Sequence, residues 1–211
     1  MALRHFKHLV PGCALAVALS LAAASATALG VGATAAPLSF ASARVSIAGT
    51  SNIHAYTAST TSVRVTRVEL AEGVAGATLW DAIVEPRAID AFEIVIPAAS
   101  LSSPKEGLDK NMHKALKVQE HPDITFRLRR LEAGTAGSLK AVGMLQIAGV
   151  EREIALDIKT ERRDSTLAVK GEVQLLMTDY GITPPKAMLG MLKTDPKVTV
   201  AFETVLAIPL T

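Results

Sequence analysis

LKAVGMLQIAGVEREIALDI, residues 139–158, is the stretch on which the fold turns. Leu139, Ala141, Gly143, Leu145 and Ile147 take every second position, and beyond Ala148-Gly149 the alternation returns at Ile154, Leu156 and Ile158. Successive side chains of a strand point to opposite faces, so a period of two marks strands with one buried face. Ala148-Gly149 between the runs reads as a turn, which makes the pair an antiparallel hairpin.

The same period recurs on both sides of this hairpin. Upstream it sets Val45 and Ile47, then Val63, Val65 and Val68, then Phe92, Ile94 and Ile96, then Ile124, Phe126 and Leu128. Downstream it sets Leu167 and Val169, leading on to Val173 and Leu175, and finally Val198, Val200 and Phe202. Turn-prone pieces such as Ala133-Gly134-Thr135-Ala136-Gly137, Arg163-Asp164-Ser165 and Asp195-Pro196 separate the runs. About eight strands at this spacing define an all-β antiparallel protein, a barrel or a sandwich.

Two segments break the period. Leu108, Met112, Ala115 and Leu116 fall at i, i+4, i+7 and i+8, one face of a helix running to about Val118, with Lys110, Lys114 and Lys117 on the other. His121-Pro122 then turns the chain into the next strand, because proline biases the residue before it towards extended geometry. The second segment, Pro184-Pro185-Lys186-Ala187-Met188-Leu189-Gly190-Met191-Leu192, is nearly all apolar after prolines that would suit a helical turn. Such a segment must bury itself or cover something.

The amino-terminal end has a different make-up. Arg4 and Lys7 precede an Ala/Leu/Val-rich run from Leu9 to about Leu29, followed by A-x-A patterns at 24–26, 26–28 and 33–35. This is the layout of a secretory signal peptide; an uncleaved anchor is the alternative, since the run approaches spanning length. The expected division is a signal peptide over 1–35, cleaved between 26 and 36, and one barrel domain over 37–211, periplasmic or secreted. Val10-Pro11-Gly12-Cys13 has too little apolar sequence before it to serve as an acylation box.

Cleavage removes Arg4 and Lys7 from the 22 basic residues and leaves the chain balanced against its 20 acidic ones. No general field then draws it to nucleic acid, and aromatic residues, 4% of the chain, are too few for a base-stacking platform. The single cysteine, Cys13, goes with the signal, so no disulfide or thiol chemistry remains.

Catalytic and metal signatures are equally thin. His54, His113 and His121 show no metal-ligand spacing, and no G-x-S-x-G elbow occurs. Asp109, Glu106 and Asp179 read as helix-capping or turn carboxylates rather than an acid–base pair. No catalytic residue, metal or cofactor is expected. What stands out is the methionine placement: Met112, Met177, Met188 and Met191 lie in the irregular segments. Adaptable thioethers suit either a surface that fits variable apolar shapes or the filling of gaps in a core. A barrel of about eight strands can hold one elongated ligand, and the two non-strand segments are candidates to cover its mouth.

With these motifs in order, the chain resembles the YceI-like family of bacterial periplasmic, lipocalin-like, polyisoprenoid-binding proteins. The resemblance runs from about Ser42 to the carboxyl terminus. It is carried by Val45–His54, Phe92–Pro97 with Ala99-Ser100-Leu101, Leu108–Lys117, His121–Phe126, Leu145–Val150 and Met177–Ile182. Two surface hairpins depart from the family pattern, at Glu151-Arg152 and at Ala55-Tyr56.

The resemblance implies an extended antiparallel barrel around an apolar tunnel that holds a long-chain isoprenoid, quinone or fatty-acyl amphiphile, for carriage or storage and without catalysis. It supplies no shared catalytic set. The inward positions expected to meet the ligand are Phe92, Ile94, Ile96, Phe126, Leu128, Leu145, Ile147 and Phe202, with Met112, Leu116, Met177, Met188 and Met191 at the covering segments. A register slip of one residue would turn each strand position outward. Lys110 and His113 are candidates for the headgroup, or face water. Transient contact with a membrane surface and a homodimer are compatible with this reading. Its rivals are a ligand-free structural or stress-related interaction protein and an enzyme acting on the bound lipid.

Overall fold

Ile147 and Val150 face each other across Ala148-Gly149, and the two strands run antiparallel from Leu139↔Ile158 to that turn. Ala148 and Gly149 both have positive φ, 49° and 83°, as a two-residue turn matching the right-handed strand twist requires. This hairpin sits in the middle of the sheet. The computed structural model describes residues 38–74, 79–135, 137–187 and 191–208; the expected signal peptide and Met188 lie outside the described residues.

The strands are β1 (Ser39–Ser51), β2 (Ala55–Thr60), β3 (Arg64–Leu70), β4 (Ile89–Pro97), β5 (Asp123–Ala133), β6 (Leu139–Ile147), β7 (Val150–Arg163), β8 (Thr166–Leu176), β9 (Lys186–Ala187) and β10 (Leu192–Ala207). Two helices interrupt them, α1 (Leu79–Ala82) and α2 (Glu106–Ala115). Nine strands form one antiparallel path, β2-β1-β10-β8-β7-β6-β5-β4-β3, and the two-residue β9 pairs β10. The sheet curls into a half-barrel, the antiparallel all-β architecture expected from the alternation. The path has one strand more than the apolar runs announce. That strand is β2, AYTAST, whose small and polar residues carry almost no apolar period.

The ends of the path are consecutive in the chain. β2 pairs with β1 through Val45↔Thr60 to Thr50↔Ala55, while β3 pairs with β4, and three residues join them. An isolated bridge, Ser59↔Ser102, ties β2 to the segment that follows β4, with Ser59 N–H donating to Ser102 O at 2.8 Å and the reverse bond at 3.0 Å.

Apolar side chains from the concave face make two clusters. One gathers Val45, Ile96, Leu101, Leu116, Ile124, Tyr180 and Val198 under α2. The other gathers Leu38, Val68, Leu167 and Leu206 around Leu79, Trp80 and Ile83 of the α1 segment. Arg162 of β7 reaches Asp81 of α1 as an exposed ion pair, a contact of small energetic weight beside the burial of Trp80.

α2 covers residues 106–115 rather than running to Val118: Leu116 caps it, and Lys117 adopts positive φ to start the descent to β5. The proline-led segment also differs from expectation. Lys186 and Ala187 pair with Lys193 and Leu192 as a short ladder instead of making a helical turn.

Candidate functional site: an apolar cavity and its mouth

The pleat sends alternate side chains of every wall strand to the concave side, where they surround an inner cavity of about 210 Å³. Phe92, Ile94 and Ile96 of β4, Phe126 and Leu128 of β5, Leu145 and Ile147 of β6 and Phe202 of β10 all line it. These are the eight inward strand positions that the period of two selects. Among the described residues Thr160 and Thr204 are the only polar ones on that wall, and Thr204 Oγ1 donates to the Val169 carbonyl at 3.2 Å.

A β-bulge in β5 shifts the phase. Leu128 pairs with Gly143 and Arg130 with Val142, so one residue is extra between them. Leu131 consequently lines the cavity at an odd position after Ile124, Phe126 and Leu128 at even ones. At one end, Ile83 and Val84 from the α1 segment close the wall, with Leu79 and Trp80 packed alongside in the same cluster.

Towards the other end the cavity widens into a mouth of about 550 Å³. Ile47, Ile124, Ile147, Leu175 and Val200 line both spaces, so the two adjoin. Leu108, Met112, Ala115 and Leu116 of α2 form one side of the mouth, and Met177 lines it from the turn after β8. α2 thus turns its apolar stripe onto the cavity and keeps Lys110 and Lys114 exposed.

Four of the expected positions stand apart. Met191 is 68% exposed and lines neither cavity. Met188 lies outside the described residues. Lys110 is exposed and lines neither cavity. His113 lines neither cavity: its Nε2–H donates to the Leu101 carbonyl at 2.8 Å, fastening α2 to the chain after β4. Asp109 does related work, its Oδ1 accepting the Ser103 N–H at 2.8 Å. Among the described residues no group of three His, Cys, Asp or Glu side chains could hold a metal ion.

Sequence reasoning missed two tyrosines that line the mouth, Tyr56 of β2 and Tyr180 at the end of the turn Met177–Tyr180. Tyr56 faces Gly49 across the β1–β2 ladder, and its ring lies so close over that residue that a Cβ there would be 2.3 Å from Cζ and Oη. Tyr180 is 3% exposed and is followed by Gly181 at φ 65°, a left-handed position that ends the turn. Burial pushes the Tyr180 hydroxyl up to about 12, with Asp179 adding to the rise and Arg152 opposing it. Burial, then Asp195, raises Tyr56 as well. A signal was present in the sequence: these are its only two tyrosines, each beside a turn or hairpin.

The YceI-like domain model matches residues 37–206. The chain belongs to the YceI-like family. Two solved structures share the family fold. BcnA of Burkholderia cenocepacia superposes with a TM-score of 0.61 at 12% identity, covering 77% of this chain and 95% of that one. A polyisoprenoid binding domain from Saccharophagus degradans, implicated in plant cell wall breakdown, gives 0.61 at 13% identity, covering 82% and 99%. At such identities the likeness is one of fold. No curated protein matches the chain.

Proposed function

We propose that the protein is an exported carrier or store for a long-chain amphiphile, an isoprenoid or fatty-acyl lipid whose tail fills the inner cavity and whose polar end sits in the mouth. The observation that carries this reading is the adjacency of the two cavities together with the polarity difference between them. An almost wholly apolar inner space adjoins, through shared residues, a wider mouth that adds His54, Lys105 and Asn111 to its wall. The two volumes together fall within the roughly 300–1,000 Å³ typical of small-molecule sites.

The energetics favour a long tail. Each methylene withdrawn from water contributes about 0.8 kcal/mol, so a chain of many carbons outweighs any single polar contact. The Saccharophagus neighbour is described as a polyisoprenoid binding domain, which agrees in chemical class. Export to the periplasm or beyond is part of the proposal and rests on the apolar, Ala-rich start with its A-x-A patterns. No reaction is assigned: the polar groups around the mouth form no nucleophile–base pair, and the inner wall offers none.

Native mass spectrometry of protein purified without detergent tests the reading. Bound lipid should be present, or appear after incubation with quinones, polyprenols and fatty acids. Absence of every such adduct overturns it. Release of a lipid with an altered mass would replace carriage by catalysis.

A further inference from the structure

Single apolar side chains on a protein surface are ordinary, and it is their clustering that carries information. Among the described residues four large apolar side chains are exposed, Ile53, Leu176, Met191 and Ile208, and the first three stand at the mouth. Leu176 lines it. Ile53 sits between Ser51 and His54, and Met191 in the loop between Pro185 and Thr194, all four flanking residues being on the mouth wall. Ile53 and Met191 are 59% and 68% exposed and line neither cavity, so they belong to the outer rim.

Both positions are built. Asn52 joins them: its Nδ2 donates to the Met191 carbonyl at 2.8 Å, its Oδ1 accepts the Lys193 N–H at 2.9 Å, and its own N–H donates to the Lys193 carbonyl at 3.1 Å. Ser51 Oγ accepts the N–H groups of Ile53 and His54 at 3.3 and 3.2 Å and donates to the His54 carbonyl at 2.9 Å. A turn with these bonds holds a large aliphatic side chain out in water, where glycine, asparagine or aspartate is usual. Charge around the same rim is uneven, although the chain without Arg4 and Lys7 is balanced. Over 51–57, 103–117 and 176–198 six lysines are exposed, Lys105, Lys110, Lys114, Lys117, Lys193 and Lys197, against the exposed carboxylates Glu106, Asp179 and Asp195. Asp109 is taken up by the Ser103 N–H.

We propose that the rim of the mouth is a docking surface for an anionic lipid bilayer. Ile53 and Met191 enter the boundary between headgroups and acyl chains, and the lysines meet the lipid phosphates. Apolar side chains beside cations are the combination that holds a protein at such an interface, each part adding to the other. This rests on the lipid-binding reading above and adds the partner from which the amphiphile is taken, or to which it is given. A mouth set against the leaflet lets the tail pass between membrane and cavity without crossing water, where each exposed methylene is unfavourable.

Co-sedimentation with vesicles tests the surface, using the exported protein purified without detergent. One set of vesicles is phosphatidylcholine, the other an equal mixture with phosphatidylglycerol. The native protein should bind the mixed vesicles in preference, and binding should weaken several-fold as salt screens the lysines. Ile53→Ser/Met191→Ser should lose roughly tenfold or more in vesicle binding, the worth of two partly buried side chains. Its uptake of a fluorescent acyl probe free in solution should stay native, because neither residue lines a cavity. Both proteins carry the same amino-terminal end, so the difference between them reads the rim. Equal vesicle binding by the two, or none by the native protein, overturns docking and leaves lipid uptake standing. A native dimer in sedimentation equilibrium that the double variant dissolves, with neither protein on vesicles, overturns it in favour of a second copy of the chain. Failure of the native protein to take up the acyl probe overturns the lipid-binding reading and the docking proposal with it.

Discussion

The Phe202 ring lies over Gly171, its direct partner across the β10–β8 ladder: a Cβ on Gly171 would stand 2.9 Å from Phe202 Cζ and 2.5 Å from the Asp157 carbonyl. Tyr56 lies over its direct partner Gly49 in the same way, and Phe126 lies over Gly143 from the diagonal position. An aromatic ring laid over a glycine covers the gap in the wall without filling the space beyond it. The cavity therefore owes its width to glycines as much as to apolar side chains. Gly171→Val places two extra branches where ring and backbone already touch, and should destabilise by about 1–3 kcal/mol. Urea unfolding reads that loss, and acyl-probe uptake should fall with it. Unaltered stability would mean the ring has another place to go.

α2 makes a second comparison possible on one helix. Met112 lines the mouth, whereas Lys114 is exposed and lines nothing. Met112→Lys sets a charge against the apolar stripe and should weaken lipid retention markedly; Lys114→Ala should leave it close to native. Retention after extensive dilution, followed by mass spectrometry, separates the two. Equal effects would mean that the stripe does not face the ligand.

The degree to which sequence disclosed this arrangement varies with the range of the interaction. Phe92, Ile94 and Ile96, or Leu145 and Ile147, are legible as wall residues because a strand's period is local and fixed. Leu131 is not, since the bulge after Leu128 depends on pairing with β6, which no window of β5 contains. The α1 segment that closes the inner end is a four-residue helix, too short for any period, and its role rests on Trp80 meeting Leu167 and Leu206 from distant strands. The fastening role of His113 is hidden for the same reason: its partner, the Leu101 carbonyl, is a backbone atom that composition cannot mark. Tyr56 and Tyr180 are separated by more than a hundred residues, and only the curled sheet brings both to one mouth.

The fastening of α2 gives a third expectation. His113 Nε2–H to Leu101 O and Ser103 N–H to Asp109 Oδ1 hold the helix against the chain after β4. Among the described residues α2 has no fully buried member, so few contacts besides its apolar stripe resist opening. His113→Ala should cost about 0.5–1.5 kcal/mol, the net worth of one hydrogen bond, concentrated in the helix. Hydrogen exchange should accelerate over 106–116 while β6 and β7 stay protected, and ligand should leave faster. Uniform acceleration across the sheet would assign the bond to global stability instead of to the cover.

Alkaline titration tests the burial of Tyr180 independently of any ligand. The hydroxyl is pushed from its ordinary 10.0 up to about 12, chiefly by burial. Between those values the unfolded chain gives up the phenolic proton while the folded chain keeps it, so stability falls as pH rises through that window. Below about 10 the contribution is present in full. Tyr56, also raised, acts with the same sign. Lysines titrate in the same range, which makes the difference between native protein and Tyr180→Phe the informative quantity. Urea midpoints taken from pH 8 to about 12 should fall relative to those of the variant as the window is crossed, because Phe has no proton to lose. Parallel curves would show that the Tyr180 hydroxyl meets solvent in the folded protein.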